Sequence, residues 1–141
     1  MAELKHQISI RAAKEQVYSA LTTANGLRSW WTADANAEEK VGGKAEFGFD
    51  RRAMVFRMKI EQLDPDKKVA WSCHGDNPEW NGTRLAWELA PEGGSTTVRF
   101  THSGWKEVTE LYAICNSSWG ELMHRLRDFA EGKNPGPHWK E

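Results

Sequence analysis

The stretch VTELYAICNSSWGELMHRLRDF, residues 108–129, decides the fold. Within it Val108, Leu111, Tyr112, Cys115, Trp119, Leu122, Met123, Leu126 and Phe129 recur at steps of three and four over about six turns, the period of a helix with one continuous apolar face. A stripe that long needs a partner surface of similar extent. Gly132 closes the helix, and Asn134-Pro135-Gly136-Pro137 cannot continue it, because proline lacks an amide hydrogen and fixes its own φ. Residues 133–141 therefore read as a C-terminal tail, and residues 1–132 as one domain.

The partner surface lies upstream. Ala45, Phe47 and Phe49 alternate with Glu46 and Gly48, and Phe56, Met58 and Ile60 alternate with Arg57 and Lys59. Val69, Trp71 and Cys73 make the next row, then Leu85, Trp87 and Leu89 opposite Arg84 and Glu88, then Val98, Phe100 and His102 between Arg99 and Thr101. A period of two marks strands with one covered face. Turn chemistry separates the rows at Asp64-Pro65-Asp66, at 75–82 and at Pro91-Glu92-Gly93-Gly94, and Ser103-Gly104 is expected to end the sheet. Before the meander, Leu4, His6, Ile8 and Ile10 predict a first strand, and Ala13, Val17 and Leu21 a short helix. A second short helix carries Leu27, Trp30 and Trp31, capped by Thr23 or Asn25, with Gly26 blurring its start. Strand, two short helices, meander and long helix make an α+β class: a curved antiparallel sheet gripping its C-terminal helix.

Eight tryptophans, beside five phenylalanines and two tyrosines, must dominate the interior or line a hollow in it. The expectation is a hollow between sheet and helix, with Phe47, Phe49, Phe56, Trp71, Trp87, Phe100, Tyr112 and Trp119 around it and Trp31 at its mouth. Pockets combine apolar walls with a few placed polar groups, and His102 and Asn116 are the candidates for that role. Arg57 and Ser117 read more simply as solvated.

At Ile10-Arg11-Ala12-Ala13-Lys14-Glu15-Gln16-Val17, at Leu21-Thr22 followed by Trp30-Trp31, and from His102-Ser103-Gly104-Trp105 to Trp119, Leu122 and Leu126, the chain resembles the SRPBCC superfamily of START-like and birch-pollen-allergen-like helix-grip proteins. Within it, the resemblance is to the group named after the activator of the 90-kDa heat-shock chaperone ATPase. It implies the helix-grip fold and a groove that holds lipids, sterols, hormones or polyketides in other members, some of which are cyclases. The name also implies chaperone contact, but in the eukaryotic activator a separate N-terminal domain makes essential contacts, and this chain has room for one domain.

Other function classes find little purchase. The chain has 141 residues, enough for one core, with 19 basic against 20 acidic side chains, so no field draws it to nucleic acid or to an anionic membrane. No leader pattern or bilayer-length apolar run occurs, and a cytoplasmic location is the expectation. His6, His74, His102, His124 and His138 show no metal-ligand spacing, and no metal or cofactor is expected. Cys73 and Cys115 read as buried, inert thiols. Asp34, Glu46 and Asp76 are the carboxylates open to acid/base chemistry, and all three read as solvated. The expected function is non-catalytic binding of a small hydrophobic or amphipathic molecule, by a monomer or homodimer. The alternatives are a chaperone-associated stress-response module acting through its surface, and a cyclase- or hydratase-like enzyme.

Overall fold

A computed structural model describes residues 2–75 and 77–140; Asp76, weighed above as an acid/base candidate, lies outside them. The element order is β1 (Ala2–Ile10), α1 (Lys14–Thr22), α2 (Ala24–Trp30), β2 (Asp34–Ala37), β3 (Lys44–Phe49), β4 (Met54–Asp64), β5 (Lys68–Cys73), β6 (Arg84–Glu92), β7 (Ser95–Trp105) and α3 (Glu110–Ala130). The strands form one curved sheet in the order β1-β7-β6-β5-β4-β3-β2, each pair antiparallel. The helix-grip expectation holds.

Register follows the hydrophobic alternation, because a one-residue slip would send every apolar side chain to the solvent face. Phe47 stands opposite Phe56, Trp71 opposite Leu85, and Trp87 opposite Phe100, so large apolar groups meet across neighbouring strands on the face that α3 covers. Trp119, Leu122, Met123, Leu126 and Ala130 of α3 are buried there.

Helix ends follow their chemistry. Thr23 Oγ1 accepts from the Gly26 amide and caps α2, and Thr109 Oγ1 accepts from the Tyr112 amide and caps α3. Gly26 has a packing reason: a Cβ there would sit 2.7 Å from Ala20 Cα and 2.8 Å from the Ala20 and Ser19 carbonyl oxygens. Only glycine lets α2 fold back this closely on α1.

Three features differ from the sequence reading. The alternation runs past Ser103 and Gly104, since β7 continues to Trp105, with Gly104 at φ +87° absorbing the irregularity. A strand at Asp34–Ala37 escaped notice because four residues with one buried side chain carry almost no periodic signal. Arg28 anchors it, with Nε donating to Ala35 O at 2.7 Å and Nη2 to Asn36 Oδ1 at 2.6 Å. The apolar stripe began at Val108, but helix starts at Glu110 behind the Thr109 cap and leaves Val108 71% exposed.

The segment 133–140 is held against the domain. The Ala33 amide donates to Trp139 O at 2.8 Å, and the His138 and Trp139 amides both donate to Trp31 O. Arg125 Nη1 donates to Gly136 O at 2.9 Å, and the Trp139 ring meets Phe49 edge-on at 5.0 Å.

Candidate functional site: the aromatic interior

The inward faces of β3 to β7 deliver Phe47, Phe56, Trp71, Trp87, Phe100 and His102 to one volume, and α3 delivers Trp119. Trp31, at the end of α2, stacks on Phe47 at 4.1 Å and meets Trp119 at 5.1 Å. Trp71 meets Phe47 at 5.3 Å and Trp87 at 4.7 Å, and Phe100 meets Trp87 at 4.8 Å and Trp119 at 4.4 Å. These are contact distances for aromatic pairs. Eight of the eleven expected site residues are thereby brought together.

The other three lie at the edge of this cluster or outside it. Phe49 is half-buried at the edge, against Phe56 and Trp139 and 6.3 Å from Trp31. Tyr112 packs edge-on against Trp105 and donates its hydroxyl to Glu3 O at 2.8 Å, which places it at the β1 end of α3. Asn116 is exposed, because it flanks the buried stripe in the half of α3 that the rest of the fold covers least.

The expected hollow is closed. Trp80 falls in the turn-rich stretch 75–82 and Trp105 just past the expected end of the sheet, yet both indoles are inside, 4% and 1% exposed. Trp80 stacks on Phe56 at 4.0 Å and stands edge-on to His102 at 4.6 Å, with Trp119 at 6.2 Å and Trp105 at 6.3 Å. The volume expected to be empty is filled by these rings. Recesses among the described residues lie elsewhere, including one of about 200 Å³ beside Pro78, Glu79, Trp105 and Thr109 and one of about 470 Å³ over Lys44, Arg57, Lys59 and His74 on the outer face. The signal that could have found Trp80 is a large apolar residue inside a turn of Asn, Pro and Gly, where solvent exposure would waste it.

Polar groups inside the ring cluster form one chain. Trp119 Nε1 can only donate, so His102 Nδ1, 3.3 Å away, must accept, and the ring proton resides on Nε2. Nε2 then donates to Thr83 Oγ1 at 2.9 Å, and Thr83 donates onward to Trp80 O at 2.6 Å. Burial holds His102 down at a pKa of about 3, so it is neutral with both nitrogens engaged. The Nε1 donors of Trp87 and Trp105 have no partner, and that of Trp80 faces only the Cys115 thiol. Burial pushes the Cys115 thiol up; the Trp80 N–H facing it opposes that in part, and the Glu79 charge adds to it.

Two of the carboxylates weighed for acid/base chemistry, and the Cys73 thiol, are otherwise engaged or held protonated. Arg52 Nη1 donates to Asp34 at 2.9 Å and Nη2 to Glu46 at 2.9 Å, so both carboxylates tie the β3–β4 turn down. Burial pushes Cys73 up to about 12, far from a thiolate at neutral pH. Among the described residues no three His, Cys, Asp or Glu side chains gather as a metal site would require. No described helix is long and apolar enough to cross a membrane.

A sheet gripping a terminal helix around an aromatic interior is the architecture of START-like helix-grip domains. The family model described as "Activator of Hsp90 ATPase homolog 1-like protein" matches residues 11–131, and the chain belongs to that family. Among solved structures it is similar to the Aha1 dimer from Colwellia psychrerythraea, at 37% identity over 94% of this chain and 98% of that one, with a TM-score of 0.85. Protein MLL2253 from Mesorhizobium loti shares the fold at 17% identity, covering 90% of this chain and 95% of that one, with a TM-score of 0.80. CalU16 from Micromonospora echinospora does so at 17% identity, covering 92% and 76%, with a TM-score of 0.75. No curated protein matches the chain.

Proposed function

We propose that this protein is a non-catalytic binding module that takes a small, largely apolar molecule between its sheet and α3. The observation that carries this reading is the presence of indole N–H donors on Trp87 and Trp105, both buried, with no acceptor. A buried donor left unpaired costs about 1–3 kcal/mol, so well-packed interiors rarely keep one. A guest with an apolar body and one or two acceptor atoms relieves that cost and gains the hydrophobic contact of Phe56, Trp87, Phe100 and Trp119. The family match supports a domain of the ligand-binding START-like type. Against catalysis stand a histidine with both nitrogens engaged and thiols held protonated.

The test is a panel of apolar and amphipathic molecules read by thermal shift and tryptophan fluorescence on the whole chain. Saturable stabilisation by at least one class of compound is expected. Absence of any response across the panel would remove the reading.

A second reading has its own support. The interior is closed, and the 37%-identical relative is described as an Aha1 dimer, which favours a module that works through its surface, as a homodimer or beside a 90-kDa chaperone. Sedimentation and co-purification with that chaperone test it; a monomer that retains no chaperone would overturn it.

A further inference from the structure

We infer that the slot now filled by the Trp80 indole, between Phe56 on one side and His102 and Trp119 on the other, is the ligand site, and that its occupant is a planar aromatic ring system of about bicyclic size. This rests on the binding reading above and names where, and for what, the interior opens.

Trp80 is the one member of the cluster carried neither by a strand nor by a helix nor by a helix end. Its turn is a self-contained unit. The Asn81 amide donates to Asn77 O, the Glu79 and Trp80 amides donate to Asn77 Oδ1, and the Thr83 amide and hydroxyl both donate to Trp80 O. Such a unit can swing as one finger while keeping these bonds, pivoting at Thr83, whose hydroxyl stays on His102 Nε2. Its root is the Gly82 amide on Cys73 O, with Gly82 at φ +89°. Its latch on α3 is the bond from Thr109 Oγ1 to the Glu79 carboxylate at 2.5 Å, beside the Trp80 N–H that faces the Cys115 thiol. The recess beside Pro78, Glu79, Trp105 and Thr109 lies directly outside that latch.

The slot's shape sets the ligand class. Trp80 stacks 19° from parallel on Phe56 at 4.0 Å and lies 26° from parallel to Trp119 at 6.2 Å, so the space it occupies has the shape of a flat ring. Trp105, buried and 6.3 Å from the Trp80 ring, offers a donor that the plug leaves unanswered. A flat heteroaromatic or aryl carbonyl replaces the stacking of Trp80 and adds an acceptor for Trp105. Binding strength then scales with the fraction of molecules whose finger is already open.

Hydrogen exchange of the indole N–H groups, followed by NMR on the whole chain, reads the opening; quinoline, a flat bicycle with one acceptor nitrogen, is the probe. Exchange at Trp80 should be at least roughly tenfold faster than at Trp30, whose N–H is bonded to Ala20 O, and than at Trp119. Glu79→Ala should speed Trp80 alone and tighten quinoline by roughly threefold or more, and Glu79→Gln should restore intermediate values. Quinoline should shift the Trp80 and Trp105 indole signals first. If Trp80 exchanges together with Trp119, or if Glu79→Ala leaves exchange and affinity unchanged, the finger is not a plug. If quinoline or a panel compound binds and leaves Trp80 in place, the slot is wrong and the binding reading survives. If the finger opens but neither quinoline nor the panel binds, both fall.

Discussion

His102 makes acid stability calculable. In the unfolded chain its imidazole titrates at the ordinary value of 6.5; in the folded protein burial holds it at about 3. Below pH 6.5 the unfolded state therefore takes up a proton that the folded state refuses. The stability tied to this group is complete above pH 6.5 and is lost progressively as the pH falls toward 3. Each unit inside that window costs about 1.4 kcal/mol, so acidifying from about pH 7.5 to 4.5, which crosses about two units of it, should remove about 3 kcal/mol. That is a large part of the total for an ordinary domain. Urea unfolding at a series of pH values, followed by tryptophan fluorescence, gives the measurement. His102→Gln is the control: glutamine does not titrate, and the carboxylates common to both chains cancel in the comparison. The variant should begin less stable at neutral pH and then lose about 3 kcal/mol less than the parent over the same interval. Two curves that run parallel would refute the argument, because the imidazole would then be reached by water or protonated in the fold.

Three further outcomes test the packing. Trp119→Ala removes a ring in contact with Trp31, Phe100 and Trp80 and should cost about 3–5 kcal/mol in chemical denaturation; a loss well below that would mean neighbouring rings collapse into the space. Gly26→Ala forces a methyl against three backbone atoms of α1 and should cost about 1–3 kcal/mol or more, with the loss visible as lower Tm, whereas a neutral result would show that α2 can pivot away. Arg125→Ala removes the grip on the Pro135 and Gly136 carbonyls, and amide exchange at His138 and Trp139 should accelerate while the sheet's does not. Unchanged exchange there would mean that the Trp31 and Ala33 pairing holds the segment alone.

The sheet and α3 were legible because both are periodic over many residues, and wrong registers would expose Phe47, Trp71, Trp87 and Phe100 to water. His102 was legible for the same reason, as the inward residue after Val98 and Phe100. What the sequence hid was volume. Alternation tells which way a side chain points, and it says nothing of how much space the opposite wall leaves. Trp80 shows the gap most clearly, since a turn residue has no period at all and only its bulk hints that it goes inside. Asn116 shows the converse: on a helix only partly covered, a residue beside the stripe goes to solvent. Trp139 lies beyond any periodic segment, and its hydrogen bonds go to main-chain atoms near Trp31 and Ala33, which any sequence offers; only its ring contact with Phe49 is specific.

Seven of the eight indoles touch one another in an unbroken series from Trp30 through Trp31, Trp71, Trp87, Trp119 and Trp80 to Trp105. Chromophores at such spacing share their excitation, so the protein has in effect one optical signal instead of seven. A perturbation at either end of the series will dim or shift the emission of the whole, and near-ultraviolet dichroism will change far more than the loss of a single ring would suggest. Assigning an optical change to a location in this molecule therefore calls for a second, residue-resolved measurement.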